Sequence, residues 1–476
     1  MDREERRDAE ALYNLRNITQ LNIDYSYQDW LSYFNSLLPA ESQLVSTDVV
    51  IVGALSFFEK LDELLSRTPK RVLANYAIWR HVVSSISYMP SNFRAREQEY
   101  IKLTTGRANA DPRWLQCVDT ALSYYSHAFG SLYVRKHFNV GAKTKALEMV
   151  TNIKNEFKEI LKGIDWMDTK TKDQARGKVN KMTELIGFAD ELINDTKLTE
   201  YYATWPATVV ESDYYASIIN LDIAYDLRTN RRLRQPIDKK DWTLRITPAI
   251  VNAYYTWLEN SINFPAGILS GAFFNADRPQ YMNYGGIGFV IGHEITHGFD
   301  DQGSQYDGDG NLKNWWEDAT RVEYKKRAEC IINQYGNYTE PLSNLKLNGI
   351  NTQGENIADN GKNLVRKLVL LLTRSFLFSG GIKQSYKAYV RWADKNPEQR
   401  LPGFNYSPQQ MFWIAAGQVW CNVYREAAMK NRVTTGVHSP GQFRVVGPMS
   451  NAQEFSDDFN CGSSTAMNKQ PKCSVW

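Results

Sequence analysis

No excess charge of either sign marks this chain: 56 Lys and Arg stand against 53 Asp and Glu, a net +3 over 476 residues. That near-neutrality removes the electrostatic reason to propose a nucleic acid or an anionic membrane as a partner. Apolar runs of membrane-spanning length are missing as well. The nearest stretch, Leu364 to Phe378, is broken by Arg366, Lys367 and Arg374. The N-terminus, MDREERRDAE, has no apolar h-region and does not read as a signal peptide. Cysteine is sparse. Cys117, Cys330, Cys421, Cys461 and Cys473 form no CxxC, which speaks against a zinc ribbon or a dithiol redox motif. Internal repeats and low-complexity tracts are absent. What is present, 43% hydrophobic residues with 13 Trp, 27 Tyr and 20 Phe, is ordinary globular composition able to bury a large core.

Two features pull against a cytosolic address. Four glycosylation sequons begin at Asn17, Asn194, Asn337 and Asn405, a little more than composition alone supplies. An odd cysteine count in an exported protein means a missing partner or a free thiol, whereas in the cytosol it means five reduced thiols.

The first half reads helical. Ala146, Leu147, Val150, Ile153, Phe157, Ile160, Leu161 and Ile164 recur at three- and four-residue steps and predict one apolar helix face. Residues 169–186 predict a second, Lys-rich packing helix, and 226–242, rich in Arg, Lys and Asp, a surface connection. Beyond Trp242 short β-prone runs, Gly-Pro turns and histidines become frequent. A functional boundary is expected near residue 250, dividing a helical region 1–250 from a catalytic region 251–476.

Chemistry concentrates in the second region. His293-Glu294-Ile295-Thr296-His297 is an HExxH motif, holding two of only six histidines in the chain. On a helix, positions four apart share a face, so two imidazoles at that spacing can bind one Zn²⁺. Glu294 then stands where a general base can reach the attacking water. Ile287, Phe289, Val290 and Ile291 are apolar enough to bury this helix, and a buried imidazole pair without a ligand is costly. Catalytic zinc takes a third protein ligand and leaves one position open. Glu355, in Gly354-Glu-Asn-Ile-Ala-Asp359, is the candidate ligand. Asp359, four residues on, can accept the free ring N–H of a ligand histidine. In Val437-His-Ser-Pro-Gly-Gln-Phe-Arg444, His438 can stabilise an oxyanion and Arg444 can grip a carbonyl or carboxylate.

These clusters, with Val251-Asn-Ala-Tyr-Tyr255, Phe264-Pro-Ala-Gly-Ile268, Asn283-Tyr-Gly-Gly286, HEITHGFDDQG and the terminal Cys473-Ser-Val-Trp476, resemble the neprilysin and endothelin-converting-enzyme family of zinc metallopeptidases. The resemblance covers essentially the whole chain. It implies a mainly α, two-lobed metallopeptidase: a thermolysin-like HExxH zinc lobe, with a helical lobe closing over it. It implies one Zn²⁺ per chain on His293, His297 and Glu355. Glu294 would be the catalytic base, Asp359 the supporting carboxylate and His438 the transition-state donor. Asn252, Ala253 and Arg444 would hold the substrate backbone. Ile268, Phe273, Val290 and Trp420 would line the apolar pocket past the scissile bond. The expected activity is cleavage of short peptides on the amino side of bulky hydrophobic residues. The alternative is a catalytically silent, truncated homologue that binds peptides or partners. The family address is the cell surface, as a type II membrane protein, or secretion.

Two departures from the family pattern follow. The chain lacks the anchor and the first cysteine-bearing segment, so it is expected to be a fragment, touching a membrane only through a missing N-terminal anchor. Cys330 would pair with Cys473, and Cys117, Cys421 and Cys461 with cysteines upstream of Met1. The second departure is the 19-residue run Lys362–Gly380, inserted where the family continues from GENIADNG directly into a helix. A lid or membrane-touching segment is one reading. The preferred one is a retained intron, because Gly361-Lys-Asn can encode a GTAAG donor and Phe378-Ser-Gly a TTTTCAG acceptor.

Overall fold

The computed structural model describes residues 4–203, 205, 208–360 and 380–476. The inserted run 362–380 therefore lies outside the described residues, except for Gly380. The fold is mainly α, as expected, with three small sheets of two, three and two strands among the described residues. The chain divides into two compact units, one comprising 1–128 and 191–245, the other 129–190 and 246–476.

The first unit has a small core of Ile18, Leu21, Tyr25, Trp30 and Val52. Its helices Leu55–Arg67, Lys70–Ser85, Ser91–Thr105 and Arg113–Tyr124 bury a single residue between them, Ser85. Ile78, Trp79, Leu103 and Trp114 on these helices are all more than half exposed. The connection expected over 226–242 is partly helical, because the helix Tyr214–Asn230 runs into it before a short turn at Arg231–Arg234.

The second unit is built around the predicted apolar helix, Val140–Gly163, which buries Ala142, Ala146, Met149, Val150, Ile153, Phe157, Ile160 and Leu161. Asn139 caps it by accepting from Gly141 N. Leu147 is not on the buried face, being 44% exposed. The second predicted helix stops early. It spans Thr169–Lys181, and Thr183–Gly187 is a strand instead. That strand runs parallel to Ser261–Pro265, which in turn pairs antiparallel with Tyr254–Thr256. The partner lies too far along the chain for local periodicity to reveal it.

The HExxH helix, Phe289–His297, continues directly from a π-helical turn at Tyr284–Gly288. It is buried nearly all round, its polar residues His293, Glu294 and Thr296 included. Glycine permits a close contact here. A Cβ on Gly292 would meet Gly381 O at 2.3 Å, so the helix Gly381–Ala393 presses directly on the motif. Behind the motif, Trp476 is 1% exposed and its ring lies 5.9 Å from Phe299 and 5.6 Å from Tyr324.

The disulfide Cys330–Cys473 ties the helix Asp318–Gly336 to this C-terminal anchor across a separation of 143 residues. Cys117 and Cys421 are exposed thiols and Cys461 a partly buried one. Cys330→Ser with Cys473→Ser is expected to cost about 2–5 kcal/mol. A urea titration with unchanged midpoint would contradict this.

Candidate active site

The HExxH helix and the short helix Gln353–Asp359 bring His293, His297 and Glu355 together, with one ligand atom from each within 4.8 Å of the others. Both histidines are aimed from behind. His293 Nδ1 lies 2.8 Å from Asp359 Oδ1, and His297 Nδ1 lies 2.7 Å from Asp300 Oδ2. A carboxylate at Nδ1 fixes the proton there, so the Nε2 lone pairs point forward, and the two Nε2 atoms converge to 2.9 Å. Glu355 Oε2 sits 3.3 Å from His293 Nε2 and Oε1 3.6 Å from His297 Nε2. Oε2 is also buried without a hydrogen-bond donor.

Two facing lone pairs beside an undonated carboxylate oxygen form a cradle for a cation. The surrounding carboxylates favour positive charge at this spot, which either a proton on the imidazoles or a metal cation in its place can supply. Burial disfavours charge on His297, but Glu355 and Asp300 outweigh it and lift its pKa to about 10. Burial likewise raises Glu355, yet the imidazoles of His297 and His293 hold its carboxyl well below the usual range. The donor set, two imidazole nitrogens and one carboxylate, suits Zn²⁺.

Glu294 is 4% exposed and faces the same cleft. Burial pushes its carboxyl pKa up, against the pull of His293 and His297. Asp359, fully buried, is gripped by Arg444 through Nε to Oδ2 at 2.8 Å and Nη2 to Oδ1 at 2.9 Å. Arg444 stacks over Trp420 at 3.9 Å. Two of its donors are thus committed to the carboxylate that aims His293. His438, half-exposed, places Nε2 3.2 Å from Glu355 Oε1.

The cleft over this cluster has a volume of about 600 Å³. Every residue singled out from the sequence for substrate contact lines it: Asn252, Ala253, Ile268, Phe273, Val290, Trp420 and Arg444. Tyr254–Thr256, beside Asn252 and Ala253, is one of the two edge strands of its sheet. The sequence reading missed Asp300, whose one signal was a carboxylate three residues after the second histidine. The four sequon asparagines, Asn17, Asn194, Asn337 and Asn405, are all exposed.

Comparison with known proteins agrees with this geometry. The models of peptidase family M13 match residues 1–189 with the family's N-terminal region, and 252–365 with 378–475 with its peptidase region. The chain is 47% identical to neprilysin-2 of Drosophila melanogaster, over 99% of this chain and 60% of that protein. It is 34% identical to human neprilysin, over 99% of this chain and 61% of that protein. The chain thus spans about three-fifths of the length of these relatives. Among solved structures, the inhibitor complex of the Mycobacterium tuberculosis zinc metalloprotease Zmp1 superposes with a TM-score of 0.82 at 29% identity, covering 100% of this chain and 68% of that one. The chain belongs to peptidase family M13.

Proposed function

We propose that this chain carries the active site of a zinc metalloendopeptidase that cleaves short peptides on the amino side of bulky hydrophobic residues. The observation that carries this reading is the convergence of His293 Nε2, His297 Nε2 and a Glu355 oxygen beside buried Glu294, within one cleft. Zinc, when bound by His293, His297 and Glu355, supplies Lewis acidity toward the scissile carbonyl and its attacking water.

Glu294 takes a proton from that water and passes it to the leaving amine, a task its burial-raised basicity favours. Asp359, fixed by Arg444, holds the His293 ring in its ligating tautomer, and Asp300 does the same for His297. His438, at the open side of Glu355, donates to the oxyanion of the tetrahedral intermediate. Asn252 and Ala253, just before the edge strand Tyr254–Thr256, offer backbone and side-chain polar groups to an extended peptide in the cleft. Ile268, Phe273, Val290 and Trp420 form the apolar wall that selects a bulky side chain. No observation favours the silent homologue.

The test is hydrolysis of a short peptide with one internal Phe by the purified chain. Cleavage before Phe, lost to a chelator and restored by zinc, is expected. A zinc-loaded protein that leaves the peptide intact, or cleavage indifferent to chelation, would overturn the reading. The disulfide and the exposed sequons also support residence at the cell surface or in the secreted fraction. A glycosidase that removes N-linked glycans should then increase gel mobility, and no shift would count against that address.

A further inference from the structure

His297 stands at the end of the HExxH helix, so the turn that follows sets its orientation. Asp300 Oδ2 holds its Nδ1, while Asp300 Oδ1 accepts from Gln302 N at 2.9 Å and Gly303 N at 2.7 Å. The carboxylate can therefore be no better placed than the backbone at 302–303. That backbone lies tight against the motif helix: a Cβ on Gly303 would fall 1.8 Å from His297 O.

The turn is held by a residue far away in sequence. Lys178, on the helix Thr169–Lys181, is 2% exposed and donates to Gly303 O at 2.7 Å and to Tyr306 O at 2.6 Å. Gly303 O also accepts from Tyr306 N, and Tyr306 O from the Trp315 indole. Lys178 thus fastens both ends of one turn. Its Nζ lies 5.4 Å from the Phe299 ring and 5.8 Å from the Trp315 ring. Asn260 tethers the lysine's own backbone, donating to Lys178 O and to Gly308 O at 3.0 Å each. Filling this space alone would need no charge, since an apolar side chain of similar volume avoids the desolvation cost of a buried ammonium. What the ammonium adds is two directed donors.

We infer that Lys178 is a positioning residue of the metal site, acting through Gly303 and Asp300 to aim His297. The inference rests on the reading of His297 as a zinc ligand. The path is continuous: Nζ to Gly303 O, Gly303 N to Asp300, Asp300 to His297.

The experiment is a zinc-affinity cycle on the full chain, measured by competition with a chromogenic chelator, for wild type, K178M, D300N and the double variant. K178M is expected to weaken zinc binding about 10- to 100-fold, the range for loss of an outer partner of a ligand. If Lys178 acts through Asp300, the double variant should bind zinc about as D300N does, rather than with the product of the two losses. In zinc-saturated assays K178M should lower kcat with little change in KM. Wild-type affinity in K178M, or multiplying losses in the double variant, would overturn the inference. Failure of the wild type to bind zinc would instead overturn the metal-site reading beneath it. If circular dichroism shows K178M unfolded, K178Q, which keeps a donor without the charge, takes its place in the cycle and is judged by the same coupling.

Discussion

Replacing Glu294 by Gln should lower kcat more than about a hundredfold while zinc stays bound. The substitution keeps the volume and planarity of the side chain and removes only its capacity to take a proton. Glu294 is not among the three groups whose ligand atoms converge, so affinity for the metal should hold. The apolar wall and edge strand proposed to bind substrate are untouched, so KM should change little, the signature of an interaction made only in the transition state. Steady-state kinetics together with metal analysis of the same sample check this. Full activity in E294Q would remove Glu294 as the base, and loss of zinc would show that it serves the ligand set.

Glu355→Ala should go further and abolish zinc retention. Its carboxylate lies within 3.6 Å of His293, His297 and His438 alike, with Arg444 Nη2 a further 3.7 Å contact. Without it, two imidazoles remain, one protein ligand short of the three that catalytic zinc sites use. The loss of affinity should exceed the about 10- to 100-fold that follows removal of an outer-shell partner. Hydrolysis should vanish with the metal. Metal analysis after dialysis decides the point: one equivalent of zinc in E355A would take Glu355 out of the ligand set.

Much of this site was legible because helices translate spacing into direction. HExxH and ExxxD each place two groups on one face, and that local rule survives folding. The same rule found the buried face of Val140–Gly163, apart from exposed Leu147. What escaped depends on contacts between distant segments. Thr183–Gly187 becomes a strand because Ser261–Pro265 lies alongside it. Asp300 looks like any aspartate in a turn until His297 is seen against it. Lys178 belongs to a Lys-rich helix whose charge pattern suits a solvated face. Its neighbour Lys181 does meet solvent, pairing with exposed Asp309, while Lys178 turns inward. Charge alone does not separate two such lysines; the packing of the turn at 303–306 does.

The close seat of Gly381 bears on how this region of the chain can vary. A Cβ there would lie 2.8 Å from Ala358 O and 2.6 Å from His293 N, so the polypeptide re-enters the site beside the point where it left. Asn360, the last described residue before re-entry, is itself locked by bonds to Tyr335 and Asn451. When two anchors are neighbours, the length of chain between them is nearly decoupled from their positions. Each doubling of such a connection costs only about 0.6 kcal/mol in closure entropy. The family's matched segments, 252–365 and 378–475, leave a gap at this same connection. The site is thus bounded on this side by two neighbouring posts, Asn360 and Gly381, each held by its own contacts.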